Sequence, residues 1–264
     1  MVNTQKIKFF LTEFVFFGLK ELRACLFAGA FFAVLFLSKF IDLGGLPRYD
    51  FLLVAAVLMQ ILMLVFRLES FKELCAICLF HVIGLALEIF KTSPNIASWS
   101  YPEFSYFRVY NVPLYSGFMY AAVGSYMIQA WRVFDLKLYK MPHFGVSLVL
   151  CVAIYANFFT HHFVHIDFRY VLLMLVVVIY ASASVAFTPR KNEYKMPLVL
   201  AFFLIGFFIW IAENIATFFG AWVYPNQATS WHIVGFGKIS SWVLLAIISF
   251  IIVALLKKLE HQVK

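Results

Sequence analysis

Eight apolar runs of about 20 residues divide this chain, near 24–43, 50–66, 74–91, 113–131, 146–162, 169–187, 197–219 and 239–256. Coiled as a helix, a run of that length matches the hydrocarbon thickness of a bilayer. Backbone polar groups in hydrocarbon must be satisfied within the segment itself, which favours helices. The pattern predicts an all-α fold: a polytopic transmembrane bundle of about eight helices, forming one integral membrane domain over 1–264. Charge usage agrees. Charged residues make up 13% of the chain, against about 25% in a soluble domain.

The basic residues give the runs a direction. With both termini in the cytoplasm, the inner segments collect fifteen Lys and Arg, and the outer segments hold five: Arg48, Lys91, Arg108, Arg169 and Lys238. Such a bias is the positive-inside pattern of a multi-pass protein in a cytoplasmic (inner) membrane. The formal net charge of +8 then reads as topology and contact with anionic lipid heads, not nucleic-acid binding. The bilayer is the expected partner. Residues 1–23 mix Lys and Glu with many Phe and Leu, as an amphipathic segment along the inner surface would. Glu13 interrupts their apolar stretch, so no cleaved leader is expected. Cys25, Cys75, Cys78 and Cys151 fall in spans or toward the inner side, and no disulfide is indicated. The C-x-x-C spacing of Cys75 and Cys78 reads as packing.

One signature occurs twice. Glu88 precedes Trp99-Ser100-Tyr101-Pro102, and Glu213 precedes Trp222-Val223-Tyr224-Pro225. Each copy starts in an odd-numbered span and crosses an outer loop, four spans apart. An even offset preserves orientation, so the halves 24–131 and 146–256 would form a 4+4 parallel repeat. The outer loops 92–112 and 220–238 are long and aromatic, as functional loops tend to be, and parts of them could re-enter the bilayer. The inner loops 67–73, 132–145 and 188–196 read as plain connectors.

A carboxylate in an apolar span is costly and marks a functional site by default. Glu88 and Glu213 are the candidate acids, with Asn214 beside the second. His81 lies two turns before Glu88, on the same helix face, and Lys91 follows Glu88 by three. A Glu88–Lys91 pair is the bland alternative. The fifth span ends in Asn157, Thr160, His161, His162, His165 and Asp167. His161 and His165, four apart, could share a metal on a continuing helix. An interfacial histidine cap or a proton relay are the other readings of that cluster. Trp99, Tyr101, Trp222 and Tyr224 either anchor the loops at the interface or line a pocket for an apolar or cationic ligand. No cofactor is firmly implied. Three functions follow. The first is an intramembrane enzyme doing acid–base chemistry on a lipid, the second a proton-coupled transporter, the third a metal-dependent membrane enzyme.

The stretches Leu87–Pro102, Ser116–Tyr126, Asn157–His162 and Ala212–Gln227 resemble the YoaT-like family of uncharacterised bacterial integral membrane proteins. The resemblance covers nearly the whole chain and implies an inner-membrane protein without an assigned activity. Glu213, Thr217, Gly220, Trp222 and Tyr224 are also similar, more distantly, to a pattern in carotenoid hydratases and small-subunit lycopene cyclases. In the first copy Ala97 stands near the glycine position and Pro94 intrudes. That likeness implies an isoprenoid or polyene ligand, protonated by Glu88 or Glu213 and stabilised as a cation by the aromatic faces.

Overall fold

A computed structural model describes residues 4–164 and 166–262. Among these the chain forms nine α-helices, so the fold is mostly helical. They are α1 (Thr4–Ala24), α2 (Leu26–Leu37), α3 (Arg48–Val65), α4 (Phe71–Lys91), α5 (Ser116–Val133), α6 (Phe144–Thr160), α7 (Arg169–Ile179), α8 (Leu198–Phe218) and α9 (Lys238–Gln262). Helices α3, α4, α8 and α9 are long and apolar enough to cross a membrane. Their length and composition suggest a multi-pass membrane protein. Helices α2, α6 and α7 are apolar but shorter.

Two expectations need correction. The runs 24–43 and 169–187 are not helical throughout. Helix α2 stops at Leu37, and α7 stops at Ile179. The inner loops 132–145 and 188–196 are not plain connectors either. Strands β3 (Lys137–Tyr139), β4 (Ser184–Phe187) and β5 (Tyr194–Pro197) form an antiparallel sheet in the order β3-β4-β5, with Leu138 opposite Val185 and Val185 opposite Met196. Val185 and Ala186 are buried by this pairing. An apolar run counts hydrophobicity alone, and the β-branched and aromatic Ser184–Phe187 segment satisfies its backbone in a sheet instead. The fold is therefore not purely α. A second hairpin, β1 (Arg108–Val109) with β2 (Val112–Pro113), closes the loop before α5.

Helix α9 is the central element. It packs against α4, α5, α6, α7 and α8, and 61% of its spanning window is buried, against 28–39% for the other three long helices. The α4–α5 and α8–α9 pairs are the closest-packed neighbours, and glycines permit this. A Cβ on Gly84 would lie 2.4 Å from the Tyr120 ring, one on Gly124 2.4 Å from Phe80, and one on Gly206 2.5 Å from Val243. Real Cβ atoms do not approach so closely, so small residues set the helix separation.

At one end of the bundle, the N-terminus of α4 is fixed by a capping box. Ser70 N donates to Glu73 Oε2 at 2.8 Å, and Glu73 N donates to the Ser70 hydroxyl at 3.3 Å. The buried Glu73 carboxylate also accepts from Arg132 of α5 and, at 3.1 Å, from Lys257 of α9. Glu69 is buried beside it, bonded by Gln60 and Ser125 at 2.5 Å each. Three helices are thus clamped at this end, while the other end carries the doubled signature.

Candidate functional site

Glu88 occupies the last turn of α4 and is 3% exposed. The chain after it curls back sharply. The Thr92 hydroxyl donates to Glu88 O at 2.8 Å, and Ser98 N donates to Lys91 O at 2.9 Å. Ala97 adopts a left-handed conformation with φ 43° to make the turn. That return brings Trp99 and Tyr101 over the carboxylate. Oε2 accepts from the Trp99 indole N–H and the Tyr101 hydroxyl, both at 2.7 Å, and Oε1 accepts from the Tyr120 hydroxyl of α5 at 2.7 Å.

The second copy repeats this construction. Glu213 is 2% exposed near the end of α8. Gly220, two residues before its tryptophan as Ala97 is in the first copy, takes φ 69°. Glu213 Oε1 accepts from the Tyr224 hydroxyl at 2.6 Å, and Oε2 accepts from the Trp242 indole N–H of α9 at 2.8 Å. In both copies, then, the motif's own tyrosine and an aromatic side chain of the following helix hold the carboxylate. The copies differ at the tryptophan. Trp99 donates to Glu88, whereas Trp222 packs in an apolar cluster with Tyr49, Tyr115 and Ala221.

The two motifs touch each other. Ser100 and Val223, the variable residues between Trp and Tyr, form an isolated antiparallel bridge, with both N–H···O bonds at 2.9 Å. Trp99 meets Tyr224 edge to face at 6.0 Å between ring centroids. The Lys238 ammonium lies 4.6 Å from the Tyr224 centroid and 5.3 Å from that of Trp99, within cation–π range. Burial holds the Tyr101 and Tyr224 hydroxyls far above the usual phenol range, and the neighbouring Glu88 and Glu213 charges add to the effect. Both phenols therefore stay protonated and act as donors.

Glu88 and Glu213 line one cavity of about 900 Å³, near the top of the roughly 300–1,000 Å³ range of ligand pockets. Most of its wall is apolar, with Leu87, Met119, Phe202, Ile205 and Leu245 among the lining side chains. Cavity residues Phe208 of α8 and Leu22 of α1 are themselves well exposed, so the cavity reaches the apolar outer surface of the bundle. One end meets Glu21 and Cys25; the other meets Lys91, Asn157, His161, His162, Arg169 and Lys238.

The alternative Glu88–Lys91 pair does not form. Lys91 Nζ is 2.7 Å from His162 Nε2. Helix α6 ends at Thr160, and burial first, then the Lys91 charge, pushes the His162 imidazole down to about 4. His162 is therefore neutral near pH 7, and its Nε2 accepts from the ammonium. The His161 and His162 rings meet at a tilt of 39°, 3.9 Å between centroids, and His161 Nδ1 is 2.7 Å from Asn157 O. Asn157 also holds the start of α7, receiving Phe168 N at 3.3 Å and reaching Asp167 at 3.4 Å. His165 lies outside the described residues. Among the described residues, no group of three or more His, Cys, Asp or Glu could hold a metal ion.

Two expected residues are placed elsewhere. Asn214 faces away from the cavity: its amide donates to Trp210 O and accepts Val234 N, both at 2.8 Å, which fixes the loop before α9. His81 packs edge-on against Phe118 at 4.6 Å, over Gly117. Sequence reasoning missed Tyr120, Trp242, Asp50 and Arg48. The first two complete the carboxylate cradles. Continuing the repeat one helix beyond Trp-x-Tyr-Pro would have found them, since equivalent positions stay 122–125 residues apart. Asp50 is fully buried in the first turn of α3, where an acid reads as ordinary helix-dipole complement. Its carboxylate instead accepts from the Ser105 hydroxyl at 2.7 Å, Tyr106 N at 2.8 Å and Phe107 N at 3.0 Å. Arg48 donates to Phe219 O at 2.7 Å, Gly220 O at 3.2 Å, Ser38 Oγ at 2.8 Å and Glu103 at 2.8 Å. It thereby caps α8 and ties the second copy's turn to the first copy's loop.

The comparisons with known proteins agree with one another. No solved structure matches the chain. "Uncharacterized protein YoaT" of Bacillus subtilis (strain 168) is 52% identical over 252 residues, covering 96% of this chain and 94% of that protein. The model of the family described as "Protein of unknown function (DUF817)" matches residues 13–250, a stretch that contains both glutamates, both Trp-x-Tyr-Pro motifs and the rim cations. The chain belongs to the DUF817 family.

Proposed function

We propose that this protein is an intramembrane enzyme of the cytoplasmic membrane that performs acid–base chemistry on a lipid, with Glu88 and Glu213 as the proton-transferring groups. The observation that carries this reading is that both carboxylates line one large apolar cavity and neither is hydrogen-bonded to a basic side chain. A carboxylate held by neutral donors keeps its proton affinity available for reaction, whereas an ion-paired one does not. Tyr101, Tyr120 and Tyr224 touch the carboxylates directly and provide routes for a proton. The faces of Trp99, Trp222 and Tyr224 would stabilise positive charge developing on a polyene or isoprenoid chain. Exposed cavity residues on α1 and α8 let such a ligand enter sideways from the bilayer.

The proposed topology has eight spans with both termini cytoplasmic and the doubled signature on the outer side. The two halves form a 4+4 parallel repeat about an axis along the membrane normal. The Ser100–Val223 bridge supports this, because an antiparallel bridge between equivalent positions has local two-fold symmetry. The matched left-handed residues Ala97 and Gly220 support it as well.

Expression in a host lacking the protein, followed by mass spectrometry of total lipid, tests the activity. The wild-type protein should create or deplete a lipid species, and Glu88→Gln and Glu213→Gln should each reduce that change at least a hundredfold. A lipid profile identical for wild type, both variants and an empty vector would end the enzyme reading. The extent of the cavity, from Lys238 to Glu21, favours a second reading as a proton-coupled carrier. A carrier would move its ligand across proteoliposomes under a pH gradient without altering it chemically.

A further inference from the structure

The cavity rim gathers three basic side chains. Lys91, Arg169 and Lys238 all line the same end. Arg169 is neutralised by Asp167 at 2.7 Å. Among the described contacts, neither of the other two makes a salt bridge. Lys91 is 6% exposed, so its ammonium is not reaching out to bulk water, and its hydrogen-bond partner is the imidazole of His162. Among the described contacts, Lys238 Nζ makes no hydrogen bond or ion pair, and rests over the faces of Trp99 and Tyr224. Glu88 and Glu213 share the cavity but direct their oxygens at aromatic donors. An ammonium at such a site with no carboxylate in hydrogen-bond contact is costly. Snorkelling to water, the ordinary fate of an interfacial lysine, does not describe Lys91.

We infer that this rim binds the phosphate group of an anionic lipid, with Lys91 and Lys238 on its oxygens and Arg169 beside them, while the hydrocarbon chain runs down the apolar cavity past Glu88 and Glu213. Lysine supplies a compact charge suited to a phosphate oxygen, and the Arg169 fork can rearrange from Asp167 to share it. The proposal rests on the lipid-enzyme reading for the chain and adds the headgroup. It also gives the ligand a polarity, because the phosphate would anchor at the His162 end and place the chain's first carbons beside the two glutamates. A phosphate site could equally be filled by the free anion, which the test separates.

The measurement is binding to the purified full chain in detergent, followed by intrinsic tryptophan fluorescence, with three probes. These are a polyprenyl phosphate, the polyprenol of identical chain length, and inorganic phosphate. The phosphate ester should bind at least tenfold tighter than the alcohol. Lys238→Gln should erase that preference, and Lys238→Arg should restore most of it, which controls for misfolding. Millimolar inorganic phosphate that displaces the ester and binds alone assigns the free anion to the site; failure to displace assigns the lipid. Equal affinity for ester and alcohol would overturn the headgroup inference but leave the apolar site standing. Failure of both lipids to bind would overturn both.

Discussion

Glu88→Leu will destabilise the protein by about 3 kcal/mol, because it strands three donors, one buried and two half-buried, at roughly 1–3 kcal/mol each. The stranded groups are the Trp99 indole N–H and the Tyr101 and Tyr120 hydroxyls, all now within 2.7 Å of the carboxylate. Leucine restores the volume but offers no acceptor. Tyr120 cannot turn away, because its ring fills the space that a Cβ on Gly84 would need. For a chain of this size the loss corresponds to roughly 6–12 °C in thermal midpoint, measurable by unfolding in detergent. Glu213→Leu strands two donors, Tyr224 and Trp242, and should cost about a third less. Glu88→Gln keeps one acceptor oxygen and should cost about 1 kcal/mol. A Glu88→Leu midpoint within 2 °C of wild type, a figure of roughly half a kcal/mol, would mean that these hydrogen bonds do not hold the site together.

Asp50→Ala will release the loop that carries the first signature. Asp50 is fully buried and accepts three hydrogen bonds, from Ser105, Tyr106 and Phe107. Bonds to an ionised carboxylate are worth about 1.5–3 kcal/mol each, and two of these fix backbone N–H groups with no other use. The expected loss is about 3 kcal/mol, concentrated in the segment between Pro102 and Pro113. Arg108 lies within it, exposed and next to the hairpin turn, so trypsin added from the loop side should cut there at least tenfold faster than in wild type. Asp50→Asn keeps one acceptor oxygen and should show a smaller change. Because Arg48 ties Glu103 of the same loop to Gly220 O, the released loop should also loosen the turn beneath Trp222. Unchanged trypsin sensitivity would contradict the anchoring role.

The parts of this molecule legible in the sequence are those governed by local period and by rare residues. Apolar runs located α3, α4, α8 and α9 within a few residues, because a spanning helix satisfies its own backbone and needs no partner to be recognised. Glu88 and Glu213 stood out because carboxylates are expensive in apolar surroundings. The three-stranded sheet was not legible. Its strands Lys137–Tyr139, Ser184–Phe187 and Tyr194–Pro197 are short and far apart in sequence, and their pairing is decided by tertiary contact. Lys91 was legible as a charge, but its partner was not. Spacing along α4 pointed to Glu88 three residues earlier, whereas the loop after α6 brings His162 to it from 71 residues away. Asn214 was misread for a similar reason. Its position beside Glu213 suggested the cavity, yet neighbours on a helix point about 100° apart, and Asn214 caps Val234 instead.

The pairing of the two signatures is the centre of this account, and a double-cysteine cross-link tests it most directly. Ser100 is exposed and Val223 half-buried, and residues directly opposite in such an antiparallel bridge have Cα atoms about 5.5 Å apart, inside the disulfide range. In a background with Cys25, Cys75, Cys78 and Cys151 replaced by alanine or serine, Ser100→Cys with Val223→Cys should form an intramolecular disulfide under mild oxidation, detected by mass spectrometry as a linked pair of loop peptides. Neither single variant should do so. Both thiols remaining free to alkylation after oxidation, in protein that still unfolds cooperatively, would contradict the shared site.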